Sequence, residues 1–268
     1  MKSISQPLRI TFLGTGTSVG IPVITCSCDV CTSNDPKNQR LRASLLLEWP
    51  LGTDSQRATV LVDTSTDLRQ QALRSRIQRV DAVLYTHNHF DHVAGLDELR
   101  IYNFVHKTSI PLHSNTETLA AIKRMFAYAF QPGARGVPRL ELVEIGDRFE
   151  LLSRTIESVP VEHGAGIVLA YRIDGFGYVT DCSAIPPAAA ARLQGLEVLV
   201  IDALRRHPHR SHFCLDEALA EIDRLRPRRA LLTHLGHDFD HAALSAELPE
   251  GVAVAHDGLV VELGGTFN

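Results

Sequence analysis

The sequence has no apolar run approaching the roughly 20 residues needed to cross a bilayer. Residues 1–8 carry no apolar core of the kind that opens a secretory signal. Both absences lead to the expectation of a cytoplasmic protein without a membrane partner. A basic excess is missing too: 27 Lys and Arg stand against 31 Asp and Glu, for a net charge of −4. That excludes a general electrostatic footprint for nucleic acid. Cysteine is scarce, with five residues in the chain. Three of them crowd into Cys26-Ser27-Cys28-Asp29-Val30-Cys31. An odd count clustered in this way argues for metal rather than a disulfide framework. The rest of the composition, 44% hydrophobic and 22% charged over 268 residues, is that of a globular protein. The length is high for one core, but a two-sheet α/β sandwich accommodates it.

Histidine is what the chain has in quantity: 13 residues, most of them in clusters. The densest cluster is Thr86-His87-Asn88-His89-Phe90-Asp91-His92, directly after the apolar run Ala82-Val83-Leu84-Tyr85. That run reads as a short buried strand, so the cluster lies where a strand gives way to a loop. His87 and His89 point the same way only while the chain is extended, and Asp91 and His92 need a turn to come inward. Imidazole suits zinc, and the carboxylate suits a hard or borderline divalent cation. Two adjacent cations sharing these ligands are more reasonable than one. The alternative is a His-rich surface loop, which the preceding strand argues against.

The other segments read as follows. Leu8 to Leu13 is a strand ending in the loop Gly14-Thr15-Gly16-Thr17-Ser18, either a tight turn or a neighbour of the site. Residues 42–49 and 58–62 are strands joined by a turn around Leu51-Gly52-Thr53-Asp54-Ser55. Asp63-Thr64-Ser65 is a helix-start signature for 66–77, with Leu68, Ala72, Leu73 and Ile77 facing the core. Asn115-Thr116-Glu117 opens a helix to about Phe130, with Leu119, Ile122, Met125 and Phe126 in the core. Gln131 to Pro138 is a loop and a candidate lid. Strands are expected over 154–162, 167–173 and 176–180, the last two as a hairpin at Asp174-Gly175, and over 196–201 and 229–233. A helix covers 215–225, and two strands around His256-Asp257-Gly258 close the chain.

His-x-His-x-Asp-His after a short apolar strand resembles the signature of the metallo-β-lactamase superfamily. Val93-Ala94-Gly95-Leu96-Asp97-Glu98-Leu99-Arg100 resembles its PhnP-like phosphodiesterase branch. The resemblance implies an αββα sandwich of two mixed β-sheets flanked by helices, one domain over 1–268, with a Cys-rich zinc loop at about 20–40. It implies one cation, zinc or manganese, on His87, His89 and His163. A second would lie on Asp91, His92 and His234, with Asp181 bridging the two. An Asp at position 63 would brace the metal loop. His237 would complete a structural zinc with Cys26, Cys28 and Cys31. His212 would protonate the leaving oxygen, with His209 as competing candidate, and Asp91 would help orient the nucleophile. Arg205, Arg206 and Arg210 are candidates to clamp a phosphate. The implied reaction is hydrolysis of a small phosphodiester, such as a cyclic phosphate of ribose or a nucleotide, by a bridging hydroxide. No insertion long enough to be an arm for structured RNA is present, and a homodimer is the expected assembly. The alternatives are a thioester or lactam hydrolase, a pyrroloquinoline-quinone biosynthesis protein of the same superfamily, and a non-catalytic metal-binding scaffold.

Overall fold

The computed structural model describes residues 7–52 and 56–264. Residues 53–55 of the expected turn and residues 1–6 lie outside them. Strand β1 (Leu8–Gly14) is followed by β2 (Ser44–Pro50), β3 (Arg57–Val62), α1 (Leu68–Ser75) and β4 (Ala82–Leu84). Short α2 (Phe90–Val93) carries the end of the His-rich motif. It leads into a 3-10 segment, α3 (Arg100–His106), β5 (Ile110–Ser114), α4 (Thr116–Met125) and β6 (Leu140–Glu144). The second half contains β7 (Arg148–Leu151), β8 (Arg154–His163), β9 (Gly166–Ile173), β10 (Phe176–Val179), α5 (Pro187–Leu193) and β11 (Val198–Asp202). The chain closes with α6 (Leu215–Leu225), β12 (Arg229–Thr233), α7 (His241–Glu247), β13 (Val252–Val254) and β14 (Val260–Leu263).

Two seven-stranded sheets result, ordered β14-β1-β2-β3-β4-β5-β6 and β13-β12-β11-β10-β9-β8-β7. Each is mixed. In the first, β3 to β6 are parallel and the rest antiparallel. In the second, β10 to β13 are parallel and the rest antiparallel. Strand periodicity sorts the apolar side chains into layers. Ile10, Phe12, Val60 and Val62 meet Tyr171, Tyr178, Val198 and Val200 between the sheets. The alternate residues face outward. Leu61 and Val83 pack under α1 and α4 with Leu68, Leu119 and Ile122. Leu199, Ile201 and Leu232 pack under α5, α6 and α7 with Leu193, Ala218 and Leu244. Every residue of β11 is buried, as a central parallel strand covered on both faces requires. Each such side chain contributes roughly 1.5–3 kcal/mol of burial free energy. The four-layer αββα sandwich is the expected architecture.

Local differences have physical causes. Helix α1 begins at Leu68, not at 66, because Asp63 is committed elsewhere and Asp67 occupies the N-cap. Leu73 lies on its outer face, 63% exposed. Helix α4 stops at Met125, which is exposed, and a separate 3-10 turn covers Ala127–Phe130. Strands β6 and β7 and helices α5 and α7 were not expected from the sequence. Gly95 is required by close approach, since a Cβ there would lie 2.2 Å from the Ser65 carbonyl oxygen. Among the described residues no helix is long and apolar enough to cross a membrane.

Candidate metal centre

The chemistry-bearing residues stand where strands end. Asp63 follows β3, the His-rich motif follows β4, and His163 ends β8. Asp181 follows β10, Asp202 ends β11, and His234 follows β12. Asp63, Asp181 and His234 all adopt left-handed backbone, at φ 63°, 53° and 54°. For a residue with a Cβ this costs roughly 1–2 kcal/mol, and such strain concentrates at functional sites.

Asp63 is fully buried and gives both carboxylate oxygens to the metal-motif loop. It accepts from the Thr86 amide at 2.8 Å, from the Thr86 hydroxyl at 2.9 Å and from His92 Nδ1 at 2.7 Å. It braces the loop and does not cap α1. Because the Thr86 hydroxyl donates to Asp63, it accepts from His87 Nδ1, 3.0 Å away. His163 Nδ1 donates to the Ser211 carbonyl at 2.7 Å. In each of the three rings Nδ1 is tied down and Nε2 is left as the lone pair. This is the arrangement by which neighbouring groups aim imidazoles at a metal.

Two donor groups form around the His-rich motif, and His163 and Asp181 also converge on His212. His87, His89 and His163 make the first, and Asp91, His92, Asp181 and His234 the second, with the ligating atoms of each within 4.8 Å of one another. His92 Nε2 lies 3.1 Å from Asp181 and 3.2 Å from Asp91, and His234 Nε2 lies 3.4 Å from Asp181. The His87 and His92 rings are 4.3 Å apart, so the two groups adjoin. His87 Nε2, His92 Nε2 and both ring nitrogens of His234 are buried without a hydrogen-bond partner among the described residues. Orphaned imidazole nitrogens converging on carboxylates fit divalent cations. Burial works to raise the Asp181 carboxyl, but His234 and His92 outweigh it and hold it well below the usual carboxylate range. Burial, reinforced by His92, pushes His87 well below its ordinary value and keeps it neutral. Burial opposes charge on His92 and His234, yet the adjacent carboxylates, Asp181 foremost, raise both.

His212 is set beside this centre. Its ring stacks on His234 at 5.1 Å and meets His163 edge-on at 4.8 Å. Its Nδ1 lies 3.7 Å from both Asp181 and Asp202. Asp202 is fully buried and fixed by the Cys182 amide at 2.9 Å. It was legible in the sequence as a strand end, in the same position after an apolar run as Asp181, but not as the partner of His212. His209 packs on His212 at 5.1 Å and accepts from the Ser211 amide.

The three arginines part company. Arg205 donates to the carbonyls of His207 and Pro208, and Arg206 pairs with Glu247 over the Phe239 ring. Both guanidiniums are thus engaged within the protein. Arg210 remains, lining a cleft of about 600 Å³ with His87, Asn88, His89, Glu117, His163 and the Gly164-Ala165-Gly166 turn. The Gln131–Pro138 loop contributes nothing to the wall of this cleft. The Gly14–Ser18 loop is a neighbour of the site: the Thr15 carbonyl accepts from the Leu235 amide at 2.9 Å, while the Thr15 hydroxyl donates to Asp257 at 2.8 Å.

At the other end of the His234 loop, His237 Nδ1 lies 3.3, 3.6 and 3.5 Å from the sulfurs of Cys26, Cys28 and Cys31. No disulfide joins them. The Cys31 backbone amide lowers the Cys28 thiol to about 7, while burial pushes the Cys31 thiol up to about 11. Three sulfurs and an imidazole make a complete tetrahedral donor set.

Residues 58–235 match the model of the beta-lactamase superfamily domain. Among solved structures, a diphosphatase from the PhnP family superposes with a TM-score of 0.88 at 38% identity, covering 96% of this chain and 97% of the other. An octanoyltransferase of Porphyromonas gingivalis is 35% identical over 94% of this chain, which spans about half (51%) of that relative. A coenzyme PQQ synthesis protein B of Methylobacterium radiotolerans is 24% identical over 96% of this chain and 100% of its own length. With a fold of two mixed sheets and metal-competent strand ends, this chain belongs to the metallo-β-lactamase superfamily, in its PhnP-like branch.

Proposed function

We propose that this metal-dependent hydrolase cleaves a phosphodiester bond in a small substrate. His87, His89 and His163 would hold one divalent cation. Asp91, His92 and His234 would hold the other, with Asp181 between them. Bound there, the cations would lower the pKa of water and polarise a phosphoryl oxygen. The chain's own residues do the rest. His212 stands in proton-transfer reach of the centre and donates to the leaving oxygen. Asp202 and Asp181 position its ring. Asp91 helps orient the attacking water, and Arg210 holds a phosphate oxygen. Cys26, Cys28, Cys31 and His237 would hold a zinc that ties the Cys-rich loop to the segment after His234.

The observation that carries the reading is His212: an imidazole backed by the buried Asp202 carboxylate and in reach of His163 and Asp181, beside two clusters that make a full ligand set without it. A thioester or lactam needs the metals but has less use for such a donor together with Arg210. A second reading, hydrolysis of a diphosphate linkage, is favoured by the PhnP-family diphosphatase at 38% identity. Turnover of bis-p-nitrophenyl phosphate, a nucleoside diphosphate and a thioester by the metal-loaded protein separates the three. The proposal requires the diester to be the best substrate by kcat/KM. Preference for the thioester would overturn it, and preference for the diphosphate would install the second reading.

A further inference from the structure

Besides the candidate metal ligands, the cleft carries two charged side chains, Arg210 and Glu117. Both are exposed, and neither has a side-chain hydrogen bond or ion pair among the described residues. Arg210 suits an anionic substrate. Glu117 works against one: among the described residues lining the cleft it is the one carboxylate. A negative charge where phosphate must enter costs affinity and discriminates between substrates, beyond what an acid in the first turn of α4 contributes to the helix. The helix does not explain it as a cap, since the Asn115 side chain caps α4 by accepting from the Thr118 amide at 2.8 Å. The wall beyond is small or apolar, made of Gly164, Ala165, Gly166 and Ile167, with Ile167 52% exposed. A cleft of about 600 Å³ is large enough for a nucleoside-sized group.

We propose that Glu117 is a specificity residue. It accepts hydrogen bonds from a hydroxyl-bearing group beside the scissile phosphate and rejects a second phosphate at that place. The substrate class it selects is a phosphate ester of a sugar or nucleoside whose remaining hydroxyls are free. The inference rests on the phosphodiester reading above. A carboxylate accepts more strongly than a neutral group, while a second phosphate at the same place is repelled by Coulomb interaction.

The test is calorimetric affinity of the zinc-loaded protein for adenosine 3′-monophosphate and adenosine 3′,5′-bisphosphate, in wild type and Glu117→Gln. The variant is expected to shift the ratio of the two Kd values about tenfold toward the bisphosphate. Glu117→Asp should restore most of the wild-type ratio. A merely structural Glu117 would move both affinities together. An unchanged ratio, or failure of the wild type to bind either nucleotide, overturns the proposal. The two readings fail separately. A shifted ratio without turnover of bis-p-nitrophenyl phosphate keeps the selection and removes the hydrolysis. Turnover with an unchanged ratio does the reverse.

Discussion

Asp63 and Asp202 are two buried carboxylates with different tasks. Asp63 spends both oxygens on Thr86 and His92, and so fixes which nitrogen of His87 and of His92 faces a cation. Asp202 keeps Oδ2 without a hydrogen-bond partner, 3.7 Å from an equally unpartnered His212 Nδ1. Burial raises the Asp202 carboxyl even against the pull of His212. Asp202→Asn is expected to lower kcat on a phosphodiester by roughly 10- to 100-fold while metal content stays at the wild-type level. Loss of metal with the rate would show that Asp202 supports a ligand instead. The His-x-His-x-Asp-His motif was legible because its ligands are contiguous. The pairing of Asp202 with His212 was not, because nothing in the sequence fixes how the loop between them folds, and the place of Glu117 in the cleft was not, because its neighbours His163 and Arg210 come from distant segments. The engagement of Arg205 with carbonyls and of Arg206 with Glu247 was not legible either, because charge and proximity in sequence do not fix a guanidinium's partner.

At the scale of elements, long buried strands such as β11 and β12 and the amphipathic α6 were legible from their periodicity. Edge strands β6 and β7 are only partly buried and carry no clean apolar run, so the pattern that identifies a strand is weak there. Helices α5 and α7 have seven residues each, too few for a 3.6-residue period to declare itself. Helix α7 also has a titrating consequence. Burial, then Lys37, His256 and Arg40, push His241 at its first position down to about 4 from the ordinary 6.5. The unfolded chain thus binds this proton first. The stability linked to His241 is complete above about 6.5 and lost as pH falls toward about 4. Thermal melts between pH 7 and pH 4 should show a smaller acid loss for His241→Gln than for wild type. Parallel curves would mean that the ring titrates normally.

At the scale of the molecule, two sheets place their strand ends at one rim, and the donors there come from both halves of the chain. His87, His89, Asp91 and His92 follow the first sheet, and His163, Asp181 and His234 belong to the second. The Cys-rich loop meets His237 across the same rim, with fully buried Arg40 donating to the carbonyls of Gly236 and Phe239 between them. Cations at these positions would cross-link segments far apart in the chain, such as His87 with His163 and Cys31 with His237, and binding to the folded state alone adds to its stability. Removing metal with a chelator should lower Tm, by about 10 °C for a stabilisation of several kcal/mol in a chain of this size. An unchanged Tm, with metal shown to be gone, would mean that the donor clusters are held by the fold alone.

The account turns on His212 as proton donor to a leaving oxygen beside a metal centre that it does not help to build. The most direct measurement compares wild type and His212→Ala on two diesters, one with a p-nitrophenyl and one with a phenyl leaving group, with metal content determined for both proteins. A poor leaving group needs the proton more. The variant is therefore expected to keep its metal, to lose roughly 100- to 1,000-fold with phenyl, and to lose clearly less with p-nitrophenyl. Equal losses on the two substrates, or loss of metal along with rate, would contradict the assignment.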